Sequence, residues 1–180
     1  DSLRLFKDLE DMTAFLINNI ELIGGSTLLC SSHNGTIYID TVTGETSVTP
    51  FNLHNEVSAT FTDSKGRIWM SYYNNGIAVF DHNGRILQRY STSDSGLSND
   101  VVLCMTERDS HIWAGTDGGG INIINPETSE IRVISHIAGD PSSLPAHSIK
   151  SIYTDEYGNI WAGSVREGLV RISESGMMTY

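Results

Sequence analysis

The 180-residue chain has no run of eighteen apolar residues, so no segment is long enough to cross a bilayer as a helix. No basic stretch followed by an apolar one opens it, which excludes a secretory signal within these residues. It is poor in positive charge: 11 Lys and Arg stand against 22 Asp and Glu, a net charge of −11. That balance argues against an electrostatic footprint for nucleic acid or an anionic membrane, so neither is expected as a partner of this segment. There are only two cysteines, Cys30 and Cys104, at different places in the pattern described below; both fall inside expected strands and read as small buried thiols. No stretch holds the 3.6-residue period of an amphipathic helix. The first residue is Asp rather than Met, from which a piece of a longer protein is expected.

What the chain does have is repetition. "GRIWMSYYNNGIAVF" (66–80) returns as "HIWAGTDGGGINIIN" (111–125) and "GNIWAGSVREGLVRI" (158–172). A worn copy, "TLLCSSHNGTIYID" (27–40), lies upstream, and counting back from its glycine puts Leu28 at the tryptophan position. The shared glycines Gly35, Gly76, Gly120 and Gly168 are 41, 44 and 48 residues apart, the range of one four-stranded propeller blade. The extra residues fall in "STSDSGLSND" and "HIAGDPSSLPAH", whose Gly, Pro, Ser and Asp mark loops.

Within a unit the apolar residues come in bursts of four to six, rich in β-branched and aromatic types, and each burst reads as a strand. In the third unit these are Val101–Thr106, His111–Thr116, Gly120–Ile124 and Ile131–Ser135, taken as strands A to D. The A–B and C–D connections carry Asp early and Gly at the position that accepts positive φ, as in "TDSKGR", "TDEYGN" and "DHNGR". The fold class is therefore all-β, a β-propeller fragment of about four four-stranded antiparallel blades at residues 8–50, 53–91, 97–135 and 144–180, with residues 3–6 a spare outer strand of a preceding blade. Four strands alone bury little, so each blade must cover its neighbour. Trp69, Trp113 and Trp161 then read as packing between blades, and Gly76, Gly120 and Gly168 as structural turn residues.

These residues resemble the two-component regulator propeller repeat. Matching positions are Asp63, Gly66, Ile68, Trp69 and Gly76; Ile112, Trp113, Gly115 and Gly120; and Asp155, Gly158, Ile160, Trp161, Gly163 and Gly168, with a recurrent lead-in of Leu53 and Val57, Leu97 and Val101, Leu144 and Ile149. Departures are Ser71 for the usual glycine, the loss of Asp and Gly in "ERDSHI", and the faint first unit. The resemblance covers about residues 53–180 well and the first fifty poorly. It implies seven-bladed propellers, often in tandem, in the extracytoplasmic sensor region of hybrid two-component systems, followed by an immunoglobulin-like domain, a membrane helix and a cytoplasmic histidine kinase. It also implies a periplasmic or otherwise extracytoplasmic location and an oligosaccharide ligand.

Chemistry-bearing residues add no catalytic pattern. His33, His54, His82, His111, His136 and His147 are scattered, with no pair at metal-ligand spacing, so neither catalytic residues, a metal nor a cofactor are expected. "TDGGG" (116–120) is followed by a strand rather than the helix a phosphate loop needs. "NGT" at Asn34 matches a short glycosylation acceptor pattern. Similarity to the streptogramin lyases, propellers with a catalytic histidine, gives one alternative function; a protein-interaction scaffold gives another. In an up-down meander the B–C turns share one face, and theirs are the connections that diverge between copies. Candidate ligand-binding residues are therefore His33 and Asn34; Tyr72, Tyr73, Asn74 and Asn75; Asp117; and Arg166 with Glu167, supplying aromatic faces, amides and charges to sugar hydroxyls. An arc of four blades also leaves apolar faces bare, from which self-association, or association with remaining blades, is expected.

Overall fold

The computed structural model describes residues 17–32, 35–51 and 56–180. The expected strand at residues 3–6 lies outside them. The described chain forms sixteen strands in four antiparallel four-stranded sheets. The first blade comprises β1 (Ile17–Ile23), β2 (Thr27–Ser32), β3 (Gly35–Asp40) and β4 (Thr46–Val48). The second comprises β5 (Val57–Thr62), β6 (Ile68–Tyr72), β7 (Gly76–Phe80) and β8 (Ile86–Tyr90). The third runs β9 (Val102–Arg108), β10 (His111–Thr116), β11 (Ile121–Ile124) and β12 (Ile131–Ile134), and the fourth β13 (Ile149–Thr154), β14 (Ile160–Ser164), β15 (Leu169–Ser173) and β16 (Gly176–Thr179). Each sheet is a meander in chain order. The first strands of successive blades pack together, β1 on β5, β5 on β9 and β9 on β13.

The alternation of side chains in each strand divides every sheet into two apolar faces, and the seams between sheets are the core. Leu29, Tyr72, Met70 and Phe80 fill the first seam, with Phe51 between them. Trp69, Ile77, Val79 and Tyr90 meet Ile112, Ala114 and Ile124 in the second. Trp113, Ile121 and Ile123 meet Ile160, Ala162 and Val170 in the third. The tryptophan face of one blade thus packs on the isoleucine–alanine face of the next. Trp69 is fully buried and stacks on Tyr90 with ring centroids 5.6 Å apart.

The recurrent turn aspartate and the tryptophan six residues later act together. One oxygen of Asp63 accepts the amides of Lys65 and Arg67 at 3.0 and 2.9 Å, shaping the A–B hairpin, while the other accepts Trp69 Nε1 at 2.9 Å. Asp155 repeats this with Tyr157, Asn159 and Trp161 Nε1 at 3.0, 2.8 and 2.8 Å. Burial alone would raise the Asp63 pKa, but hydrogen bonds from Trp69 and Arg67 and the Arg67 charge hold it below the ordinary range. At Asp155 the Trp161 hydrogen bond is the largest cause, and the carboxyl is brought down to about 2. In the third blade, where that aspartate is lost, the hairpin tightens to Asp109–Ser110, both at positive φ (50° and 59°), between paired Arg108 and His111. This is the two-residue hairpin whose twist matches the strands. The Arg108 guanidinium lies 5.8 Å from the Trp113 ring centre.

The shared glycine has two causes. Gly76, Gly120 and Gly168 have φ of 68°, 78° and 81°, and a Cβ there would lie 2.1, 2.2 and 2.6 Å from the carbonyl oxygens of Tyr90, Ile134 and Tyr180. Only glycine meets both conditions.

Two register readings are corrected. Ser32 pairs with Gly35 with two residues between, whereas Tyr72 and Gly76 enclose three, so Leu29, not Leu28, stands at the tryptophan position. Leu29 accordingly lies in the first seam. The lead-in valine of the third blade is Val102, which pairs with Thr116 as Val57 does with Tyr72; Val101 precedes the strand. The cysteines are free: Cys30 is buried, and burial pushes the half-buried Cys104 thiol up to about 12.

Candidate functional site

The B–C turns and the D–A loops emerge at the same end of the blades and are stitched together by backbone hydrogen bonds. The first residue after strand B donates its N–H to the carbonyl just before strand A: Tyr73 to Glu56 at 3.0 Å, Asp117 to Val101 at 2.9 Å, Val165 to Ser148 at 3.1 Å. The shared glycine donates onward to the next D–A loop, Gly76 to Asp100 at 3.0 Å and Gly120 to His147 at 2.7 Å. Each consecutive pair, Asp100–Val101 and His147–Ser148, therefore bridges two neighbouring turns. Backbone polar groups that a loop would leave to water are spent on this linkage, and the side chains are left on a rigid rim.

A hydroxyl at the end of strand B closes two of the turns from within. Thr116 Oγ1 accepts the Gly119 amide and donates to the Gly120 carbonyl, at 3.1 and 3.0 Å. Ser164 does the same with Glu167 and Gly168, at 2.8 and 3.0 Å. In the second blade this position is Tyr72. It does not join the surface: it is 2% exposed, its ring lies in the first seam, and its hydroxyl donates to Met70 Sδ at 3.4 Å. Desolvation raises its pKa. Tyr72 is thus a core residue and is withdrawn from the candidate ligand-binding set, because the alternation that ends β6 points it inward.

Its neighbour Tyr73 is 52% exposed. Asn74, at φ 57°, and Asn75 are exposed beside it, with Asn75 Nδ2 donating to the Tyr73 carbonyl at 3.1 Å. Asp117 is exposed; its Oδ1 accepts Ser148 Oγ at 2.7 Å, and its carbonyl accepts Asn99 Nδ2 at 2.7 Å. Arg166 and Glu167 are exposed on the fourth turn. Ser148 couples these last two turns, since its hydroxyl holds Asp117 and its carbonyl holds Val165. His33 and Asn34 lie outside the described residues. The rim therefore displays Tyr73–Asn75, Asp117 and Arg166–Glu167 in blade order. The D–A pairs that set this order went unnoticed in the sequence, because their contribution is made by carbonyl groups that any residue carries.

Beyond the rim, a cleft of about 430 Å³ lies beside the D–A loop of the third blade, lined by His136, Ile137, Pro141, Leu144 and Thr179 among others. His136 and His147 meet edge to face at 4.9 Å, with His136 Nδ1 on the Leu144 carbonyl at 2.7 Å. Among the described residues, no three His, Cys, Asp or Glu side chains are grouped to hold a metal ion.

Residues 143–166 match the family model described as Two component regulator propeller. No curated protein matches the chain. Among solved structures, the extracellular domains of two hybrid two component systems from B. thetaiotaomicron are similar. One has a TM-score of 0.73 at 17% identity over 92% of this chain and 21% of its own. The other has 0.58 at 17% identity over 93% and 28%. A virginiamycin B lyase from Staphylococcus aureus gives 0.66 at 20% identity over 89% of this chain and 54% of its own. At such identities these likenesses concern the fold, and the chain spans about a quarter of the length of the two extracellular domains. Residues 143–166, spanning the first two strands of the fourth blade, are thus similar to the two component regulator propeller, in a chain whose four blades share the propeller fold of those extracellular domains.

Proposed function

We propose that this chain is a ligand-binding segment of an extracytoplasmic sensor of the two-component type, and that the ligand is an oligosaccharide held on the B–C rim. The observation that carries the reading is the combination of the repeat in residues 143–166 with a rim whose backbone is fixed and whose side chains are varied. Tyr73 offers an aromatic face to a sugar ring, Asn74 and Asn75 offer amide donors and acceptors, and Asp117, Arg166 and Glu167 offer charge-assisted hydrogen bonds to hydroxyls. Binding at the rim would be passed on through the D–A linkages, since each turn is tied to the next blade. The chain itself performs no chemistry in this reading.

The test is a calorimetric or thermal-shift screen of oligosaccharides, followed by substitution of the responding rim. Tyr73→Ala and Arg166→Ala are expected to weaken binding by about tenfold each without lowering stability, since exposed substitutions usually cost less than about 0.5 kcal/mol. Lys65→Ala, on the opposite end of the blades, is expected to leave binding unchanged. A sugar whose affinity responds to Lys65→Ala and ignores both rim variants would refute the assignment of the rim.

A further inference from the structure

The first seam differs from the other two at its inner edge, where β1 meets β5. Glu21 pairs with Leu29 and Asn19 with Ser31, so all four face the second blade. Ser31 Oγ donates to Thr60 Oγ1 at 3.3 Å, and Glu21 Oε1 accepts the Thr62 amide at 2.5 Å. The position of Glu21, opposite the tryptophan of its blade, is Phe61 in the second blade and Thr106 in the third. Across the third seam Thr106 meets Thr154, which pairs with Ile160 as Thr62 does with Ile68. Their hydroxyls join at 2.9 Å, and Thr154 also donates to the Glu107 carbonyl at 2.9 Å. That contact is neutral and hydrogen-bonded.

A carboxyl in the same place is harder to satisfy. Glu21 Oε2 and Thr62 Oγ1 are both buried without a hydrogen-bond partner. β1 packs on β2 and β5, and neither strand carries Asp, Glu, Lys, Arg or His. Cys30 of β2 pairs with Ile20 and lies on the opposite face, while Tyr38 shares the face of Glu21 two strands away, beyond Leu29. Asp63, next to Thr62, turns to the second seam, where its oxygens hold Lys65, Arg67 and Trp69. Among the described residues no cation pairs with Glu21. Desolvation accordingly outweighs what Thr62 offers the charged form, and the Glu21 pKa is raised above the ordinary 4.5.

We propose that Glu21 is a proton-operated latch on the first seam: with its proton it seals β1 against β5, and without it the seam takes in water and the first blade loosens from the second. In the acid form Oε1 still accepts the Thr62 amide, and the O–H on Oε2 has the Thr62 hydroxyl oxygen as its acceptor, so both unpartnered atoms are satisfied together. The ionised form leaves an uncompensated charge in the seam. A carboxyl whose folded pKa is raised stabilises the contact fully below its unfolded value, and that contribution is lost as the pH rises through the folded one. The direction is opposite to that of Asp63 and Asp155, whose pKa values are lowered. The latch lies on the inner strands and does not depend on the saccharide reading.

The test follows the side-chain carboxyl resonances of the isotopically labelled chain from about pH 4 to about pH 8, with hydrogen exchange of its backbone amides over the same range. Glu21 is expected to titrate above the exposed glutamates. After correction for the intrinsic exchange rate, protection of the Thr62 amide and of β1 is expected to fall as Glu21 ionises. The fall should reach about tenfold for each unit by which the Glu21 midpoint stands above 4.5, with the fourth blade unchanged. Glu21→Gln keeps the acceptor oxygen and puts an amide N–H in place of the acid O–H, so it is expected to hold the low-pH protection throughout. The titration of the unaltered chain decides the matter even if that variant folds poorly. Glu21 titrating with the exposed glutamates, a loss of protection that Glu21→Gln repeats, or one that spreads equally to the fourth blade would each overturn the proposal.

Discussion

Trp113 fills the third seam, and its replacement by alanine leaves a cavity between two sheets that, among the described residues, share no other large aromatic there. Trp113→Ala is expected to lower stability by about 3–5 kcal/mol, measured by urea denaturation, with the slope of the transition unchanged. The turn aspartates give a second residue-level expectation. Asp63 and Asp155 both have lowered pKa values in the folded chain, Asp155 falling from 3.8 to about 2. A carboxyl whose folded pKa is depressed contributes stability above its unfolded value and loses it as the pH falls through the folded one. Stability should therefore drop between about pH 4 and pH 2. The paired substitution Asp63→Asn with Asp155→Asn should lower it at neutral pH and flatten the drop; an acid profile unchanged by that pair would remove these groups as its cause.

Hairpins and turns set the next scale. Gly66 and Gly120 both have positive φ, 77° and 78°, yet a Cβ at Gly66 meets open space while one at Gly120 meets the Ile134 carbonyl at 2.2 Å. Gly66→Ala is expected to cost the conformational term alone, about 1–2 kcal/mol. Gly120→Ala adds displacement of strand β12, whose backbone cannot yield as a side chain would, and should cost clearly more. Thermal midpoints of the two variants compare them directly, and equal losses would show that the turn, not the strand contact, governs that glycine. The inner strands carry a related device. Asn18 and Asn19 donate to the Val57 and Thr60 carbonyls at 3.0 and 2.9 Å, and Glu21 accepts the Thr62 amide at 2.5 Å, so side chains of β1 occupy the open edge of β5. Burial raises the pKa of Glu21.

For the whole molecule, equivalent positions on successive blades are the informative comparison. Thr106 and Ile121, on the tryptophan face of the third blade, are 8% and 0% exposed beneath the fourth. Their counterparts Tyr153 and Leu169 on the fourth are 64% and 39% exposed, with Met178 and Tyr180 also open, and Trp161 is covered by the Tyr180 ring stacked at 5.9 Å. On the first blade Ile20, Leu22 and Val48 are exposed. An exposed sheet face with this many apolar side chains is a surface on which a second copy can pack. This chain is expected to self-associate at tens of micromolar in sedimentation velocity, and Leu169→Asp to shift it toward monomer without loss of fold. A monomeric profile at that concentration would exclude the terminal faces as association surfaces.

By itself the sequence determined the repeat, the strand alternation, the hairpin chemistry and the packing of Trp69 and Trp113 between blades, because each is written in side-chain type at fixed spacing. Trp161, expected to do the same, lies half-buried under the Tyr180 ring instead. The strands of the third unit fall within two residues of their expected ends, and the loss of Asp and Gly in "ERDSHI" marks an A–B hairpin with two loop residues at positive φ and no glycine. Tertiary structure alone decided the rest. A one-residue difference in turn length moved the tryptophan position of the first blade from Leu28 to Leu29, since side chains alternate at every residue and a slip of one reverses the face. The same alternation separated Tyr72 from Tyr73, adjacent and identical in the sequence, one in a seam and one on the rim. A cleft of about 380 Å³ at the third seam, lined by Arg108, Asp109, Tyr157 and Glu174 among others, lies between the two-residue hairpins at Asp109–Ser110 and Glu174–Ser175, which are distant in the chain and meet only when one blade closes on the next.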